Sequence, residues 1–417
     1  MKSTLIFRLS VFASLLFLLG MKAVDKPTIF TSKTVVCSEC KEIVEPSRLN
    51  QAIHLAANYL LKVCDENGKF TYRINLNPKV RVKPSYNMVR HAGVMYALAM
   101  YEQEYPNAKT RETLVRAAQF LKKTIAPLAG KEDLLAVWSD PKVIGGKAPV
   151  QAKLGGTALG LVALASLEQI KPGTTSIDYL RKMANFIVFM QKDDGGFYSK
   201  YIPSRGGVNK KWVSLYYPGE ATLGLSLLYK LDPNPVWMKT ATNALAYLAR
   251  LRANKTTVEA DHWALLATAK WMPLHDKSFL KPVIWQHAIQ IVESMLLTRA
   301  KFPKNSMKHG GFIRDGRTTP TATRLEGLLA AMTILAPEEP LLQRCITYAV
   351  THGLSFLLRA QVHSGEHKGA MPQAIPANSS RNNLSNKKAT EVRIDYVQHA
   401  LSAMLQFEQI FYKTNNR

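Results

Sequence analysis

Two kinds of apolar segment alternate along the chain, and that alternation limits the folds open to it. One kind is amphipathic at a 3.6-residue period, with Lys, Arg, Gln and Asn on one side. It recurs over roughly residues 48–64, 109–124, 176–191, 236–251, 283–299 and 342–360. The other kind is rich in Ala, Gly and Leu on nearly all faces: YNMVRHAGVMYALAMYEQ from Tyr86, KLGGTALGLVALASLEQI from Lys153, PGEATLGLSLLYKL from Pro218, ADHWALLATAKWM from Ala260, TPTATRLEGLLAAMTIL from Thr319 and EVRIDYVQHALSAMLQFEQIF from Glu391. Helices of the second kind suit tight burial, and those of the first suit covering them. Six of each in strict alternation predicts an all-α (α/α)6 toroid, in which six helical hairpins place their inner helices around a cavity open at one end.

The links between segments repeat as well. Leu61–Phe70 runs LKVCDENGKF, Val188–Phe197 runs VFMQKDDGGF, a third link ends in KHGGF at Phe312, and Leu357–Gln373 runs LLRAQVHSGEHKGAMPQ. In the second, Gly195-Gly196 supplies the positive backbone angles needed to leave a helix, Phe197 plugs the gap between hairpins, and Pro218 suits the first turn of the next helix. Alternating hairpins with a Q-x-x-D-G-G-F turn closing an outer helix resemble the six-hairpin superfamily, which includes glycoside hydrolases, polysaccharide lyases and sugar epimerases. Terpenoid cyclase and protein prenyltransferase toroids share the ring. The resemblance spans residues 48–412 as an architecture, singles out no family within the superfamily, and implies a carbohydrate-active enzyme.

Inner helices of a ring start at one rim, so polar residues in their first turns converge. Those turns carry Asn87, Arg90 and His91; Lys153 and Thr157; Tyr217 and Glu220; Asp261, His262 and Trp263; Thr323, Arg324 and Glu326; and Arg393, Asp395, Gln398 and His399. Carboxylates there suit the helix dipole, but Arg90, His91, Arg324, Arg393 and His399 have the wrong sign for an N-terminal turn and so call for an anion, either a neighbouring carboxylate or a ligand. Glycoside cleavage needs two carboxyl groups. Glu220, Asp261, Glu326 and Asp395 are the candidates, with Glu220 expected to stay ionised as base or nucleophile and Asp261 or Asp395, once desolvated, as proton donor. Arg90, His91, Tyr217, His262, Trp263, Arg324, Arg393 and His399 are the candidate substrate-binding residues. Proton abstraction from carbon, as in an epimerase or lyase, would fall to His91, His262, His399 or Tyr217. Trp212, Tyr216, Tyr217 and Trp263 are placed to stack on sugar faces.

The leading expectation is an exported, glycoside hydrolase-like enzyme acting on a polar or anionic polysaccharide or oligosaccharide. Two alternatives stand beside it: a sugar epimerase or lyase using His and Tyr, and a non-catalytic toroid binding an anionic glycan or a partner protein. No cofactor or metal is expected, because no Asp-rich cyclase motif and no Cys–His zinc set occurs. The charge favours an anionic partner: 55 Lys and Arg face 30 Asp and Glu for a net +25, and removing residues 1–23 takes away Lys2, Arg8 and Lys22 to leave +22. Contact with an anionic surface fits the same excess, whereas no nucleic-acid motif accompanies it.

Residues 1–23 have the layout of a secretory signal peptide, with an uncleaved membrane anchor as the alternative. They direct the chain to the periplasm or outside. Residues 24–47 then form an extension carrying Cys37-Ser-Glu-Cys40, read as a structural bridge or two reduced thiols, and 48–417 a single toroid domain. The polar stretch Ala377–Ala389 reads as a surface flap, and Asn254, Asn378 and Asn383 head glycosylation sequons.

Overall fold

The structure, a computed structural model, describes residues 37, 42–275, 278–335, 339–375 and 388–413. The signal segment, Cys40, sequons Asn378 and Asn383, and nearly all of the Ala377–Ala389 flap lie outside the described residues. Among the described residues no helix is long and apolar enough to cross a membrane.

The inner helices are α2 (Met88–Glu104), α4 (Leu154–Ile170), α6 (Tyr217–Leu231), α8 (His262–Trp271), α10 (Thr318–Met332) and α12 (Ile394–Glu408). Each packs on the next, and α12 packs back on α2, so the ring closes. The outer helices are α1 (Pro46–Lys62), α3 (Ala108–Lys122), α5 (Ile177–Phe189), α7 (Pro235–Arg252), α9 (Lys281–Leu297) and α11 (Pro340–Ala360). α3, α5, α7, α9 and α11 cover α2, α4, α6, α8 and α10 in turn, and α1 covers α12. The small residues of the inner helices permit this spacing: a Cβ on Gly219 of α6 would lie 2.6 Å from the Ala264 nitrogen of α8, and one on Gly224 would lie 3.0 Å from the Ala158 oxygen of α4.

The repeated links dock each hairpin on its neighbour. Gly195 has φ +90°, and a Cβ there would meet the Asn243 carbonyl oxygen of α7 at 2.5 Å, so both its conformation and its space require glycine. Gly68, Gly310 and Gly369 repeat the arrangement, each 2.0 Å by the same measure from a carbonyl oxygen of α3, α11 and α1 respectively.

The sequence reading left the other links irregular, but some of them form strands. β1 (Arg73–Asn75) pairs antiparallel with β7 (Glu391–Arg393). A five-stranded antiparallel meander runs β2 (Ile125–Leu128), β3 (Lys131–Ser139), β4 (Gln151–Lys153), β5 (Lys200–Ile202) and β6 (Gly207–Val208). The apolar run Leu134–Trp138 is too short for a helix and packs against α4 and α5 instead.

Cys37 is not paired within its CxxC. It bonds Cys345 on α11, 308 residues away, with Cα atoms 5.3 Å apart. Spacing along the chain could not reveal this pairing, because only the closed ring brings α11 to the N-terminal arm. Closing so long a loop restricts the unfolded chain, so reduction should cost about 3–5 kcal/mol. The expected result is a melting temperature lower by about 5 °C in reductant. Cys37→Ser should melt at that lower temperature whether or not reductant is present.

Candidate active site

The inner helices begin around a cavity of about 580 Å³ lined by Arg90, Glu220, His262, Arg324, Asp395 and His399, among others. Two buried histidines face each other there. His262 opens α8, directly after its N-cap Asp261, and His399 lies in the second turn of α12. Their ring centroids are 5.4 Å apart at an interplanar angle of 77°.

The two imidazoles are biased in opposite directions. His262 makes no hydrogen bond through either ring nitrogen. Burial, then the proximity of His399 and Arg324, push its pKa well below the ordinary imidazole value, so the ring is neutral. Burial also acts against the charged form of His399, but Glu326, at 2.7 Å from Nδ1, and Asp395 outweigh it and raise the pKa. The same Glu326 oxygen lies 3.9 Å from His262 Nε2, beyond hydrogen-bonding distance. Donor atoms of His262, Glu326 and His399 all fall within 4.8 Å of one another, the one such grouping among the described residues that could hold a metal ion. The sequence reading placed no metal here, since the three residues come from three different helices.

The four candidate carboxylates separate into different environments. Glu220 lines the cavity, but it is not held ionised as expected. Burial and then the nearby Asp261 push its pKa well above the ordinary range, and Oε2 has no partner. Desolvation overrides the helix dipole and favours the protonated form of Glu220. Asp395 is the reverse case, with its pKa lowered where a proton donor's was expected to be raised. Burial raises its pKa, but Arg393 and Arg90 more than offset this: Arg393 donates from Nε to Oδ1 at 2.5 Å and from Nη2 to Oδ2 at 2.9 Å, and Arg90 donates from Nε to Oδ2 at 3.0 Å. Asp261 does not line the cavity: it caps α8 by accepting from the Ala264 N–H at 3.1 Å and pairs with buried Arg252 at 2.7 Å. Glu326 sits behind His399 and fixes which way that ring points.

Of the candidate binding residues, Arg90, His262, Trp263, Arg324, Arg393 and His399 line the cavity. His91 does not. It points into the hairpin interface, bonded to Tyr86 Oη at 2.8 Å and the Ala117 carbonyl at 2.9 Å, where burial lowers its pKa to about 4. One residue after Arg90 on a helix is turned by about 100°, enough to separate a cavity residue from a packing residue. Tyr217 lies beside the cavity and packs on Trp212, with centroids 5.7 Å apart. Arg324 meets no carboxylate among the described residues, and its guanidinium donates only to the Pro320 carbonyl of its own helix. Sequence reasoning missed Arg317, Ile313 and Gln373, which reach the cavity from the links before α10 and after α11. It also missed Arg252, whose place just past the outer helix expected over 236–251 gave no sign that it is buried.

No protein-family model matches the chain, and no curated protein matches it in sequence. Solved structures do match over nearly their whole length. A D-mannose isomerase superposes with a TM-score of 0.61 at 12% identity, over 88% of this chain and 98% of its own. A cellobiose 2-epimerase from Spirochaeta thermophila gives 0.62 at 15%, over 88% and 97%. An unsaturated glucuronyl hydrolase variant from Streptococcus agalactiae gives 0.53 at 13%, over 93% and 98%. At such identities the likeness establishes the fold alone, an (α/α)6 toroid.

Proposed function

We propose that this toroid is a sugar-acting enzyme that moves a proton at carbon, as in the interconversion of an aldose with its epimer or ketose. The observation that carries this reading is the facing pair of buried histidines with opposed proton affinities in one cavity. Neutral His262 is the base that takes the proton from the carbon beside the sugar carbonyl. His399, kept protonated and oriented by Glu326, donates to the carbonyl oxygen or returns a proton to carbon. Arg324, with no carboxylate partner among the described residues, is placed to stabilise the enediolate oxygen that develops between these steps. The isomerase and epimerase among the matching structures support the assignment. The apolar segment at the start of the chain supports action outside the cytosol.

A hydrolase reading rests on a different observation. Glu220, with its pKa raised, and Asp395, with its pKa lowered, line the same cavity, the divided pair that glycoside cleavage uses. It is the weaker reading, because both oxygens of Asp395 are already engaged by Arg393 and Arg90.

One experiment separates the two. Reducing mono- and disaccharides, together with uronate glycosides, are incubated in D₂O and followed by NMR. Proton transfer at carbon predicts deuterium at C2 of a reducing sugar, undiminished by EDTA. Release of new reducing ends without deuterium at C2 would transfer the assignment to Glu220 and Asp395. Turnover should fall on the alkaline side as His399 loses its proton, with that limb above the ordinary imidazole range because its pKa is raised. A pH–rate profile checks this.

A further inference from the structure

The five-stranded sheet carries a feature that neither the fold nor the cavity chemistry requires. Lys153 on β4 stands directly opposite Lys200 on β5 in the antiparallel register. Like charges in that position destabilise a sheet. Lys153 is also the N-cap of α4, where a cation opposes the helix dipole, and it makes no capping hydrogen bond. No carboxylate meets Lys153 or Lys200 among the described residues. The charges that act on Lys153 are themselves cations: burial and then Lys200 and Arg90 lower its pKa.

An aromatic face completes the cluster. Trp212 is 41% exposed, and Lys200 Nζ sits 4.0 Å from its ring centroid. Its loop is tied down, with the Trp212 N–H donating to Asn209 Oδ1 at 3.3 Å and the Ser214 N–H to Ser199 Oγ at 2.9 Å. The cluster is continuous with the cavity. Trp212 packs on Tyr217, and both Tyr217 and Glu220 lie against Gly155, where a Cβ would come within 2.3 Å of each.

We propose that Lys153, Lys200 and Trp212 form a second subsite that binds an anionic sugar unit, carboxylated or sulfated, adjoining the unit held in the cavity. The two ammonium groups meet the anion and the indole stacks on the ring face, so an anionic oligosaccharide is held more tightly than a neutral sugar. This deepens the reading of the cavity as a sugar site and rests on it for that neighbouring unit. The like-charge pair is then a stability cost retained for binding.

The test reads binding and not turnover, so it can fail or succeed apart from the proton-transfer chemistry. Tetragalacturonate, a heparin tetrasaccharide and cellotetraose are titrated into the full protein by calorimetry and by tryptophan fluorescence. At least one anionic tetrasaccharide should bind at least tenfold tighter than cellotetraose and quench fluorescence; tight binding of tetragalacturonate marks carboxylate recognition, and tight binding of the heparin fragment without that of tetragalacturonate marks sulfate recognition. Lys153→Gln with Lys200→Gln should weaken that binding at least tenfold. A control pair at the far end of the ring, Lys171→Gln with Lys239→Gln, should change it less than threefold. Ligand-free Lys153→Gln should melt about 1 °C higher than wild type, since a repulsion has been removed. Anionic and neutral tetrasaccharides binding equally, no binding of either anion, or equal losses in the two double variants would overturn the subsite.

Discussion

Arg252→Met should destabilise the protein by about 3–5 kcal/mol, because it strands a buried carboxylate. Arg252 and Asp261 are both almost fully buried and joined at 2.7 Å, and the other carboxylate near Arg252, Glu259, is exposed at 3.9 Å. Methionine keeps much of the aliphatic volume, so the loss comes from the charge and not from a cavity. Burial already raises the pKa of Asp261 against the pull of Arg252, and removing the guanidinium leaves only the Ala264 N–H to oppose it. The folded state of the variant then binds a proton that the unfolded state releases above about pH 4. Stability falls as pH rises through that interval, so the deficit should be large at pH 7 and should shrink toward pH 4. Urea titrations of both proteins at the two pH values measure it. A deficit below about 1 kcal/mol at pH 7 would show that Asp261 finds another partner or stays protonated at little cost.

His399→Gln should lower turnover by at least about a thousandfold while the protein stays folded. The amide can still donate to Glu326, which avoids leaving that carboxylate unpaired, but it cannot carry a proton to or from substrate. His262→Asn should be equally damaging for the opposite reason, since the neutral base is lost. Glu326→Gln acts through His399: it should lower turnover less, by about tenfold to a hundredfold, and shift the alkaline limb of the pH profile down, because the carboxylate that raises the imidazole pKa is gone. Glu220→Gln separates the two functional readings. It should leave deuterium exchange at C2 within a few-fold of wild type, and a loss comparable to that of His399→Gln would move the proton donor to Glu220.

The ring was legible because burial imposes a pattern that survives in one dimension. Inner helices such as Leu154–Ile170 must be small and apolar all round, and the sequence says so directly. The rim was legible too, since the start of each inner helix can be read from the same pattern, and six of the eight candidate binding residues line the cavity. Protonation was not legible. Glu220 and Asp395 both occupy first turns of inner helices, yet one is buried without a partner and the other is held by two arginines from different parts of the chain. The pairing partners, Arg90 with Asp395 and Cys37 with Cys345, are separated by about three hundred residues and meet only after the ring closes. His91 shows the limit of reading by position, because a shift of one residue turns a side chain from the cavity to the packing interface.

Gly369, in the link after α11, rests on α1, and β7 pairs with β1, so the last hairpin is fastened to the first. An open stack of repeats has two ends, and it can fray from either one or lose a unit with the remainder intact. This array has no end to fray from. Each hairpin holds two neighbours, so removing any one breaks two junctions and opens the cavity. Unfolding should accordingly run as one cooperative transition, and new termini placed in an exposed link between hairpins should be tolerated better than deletion of a single hairpin.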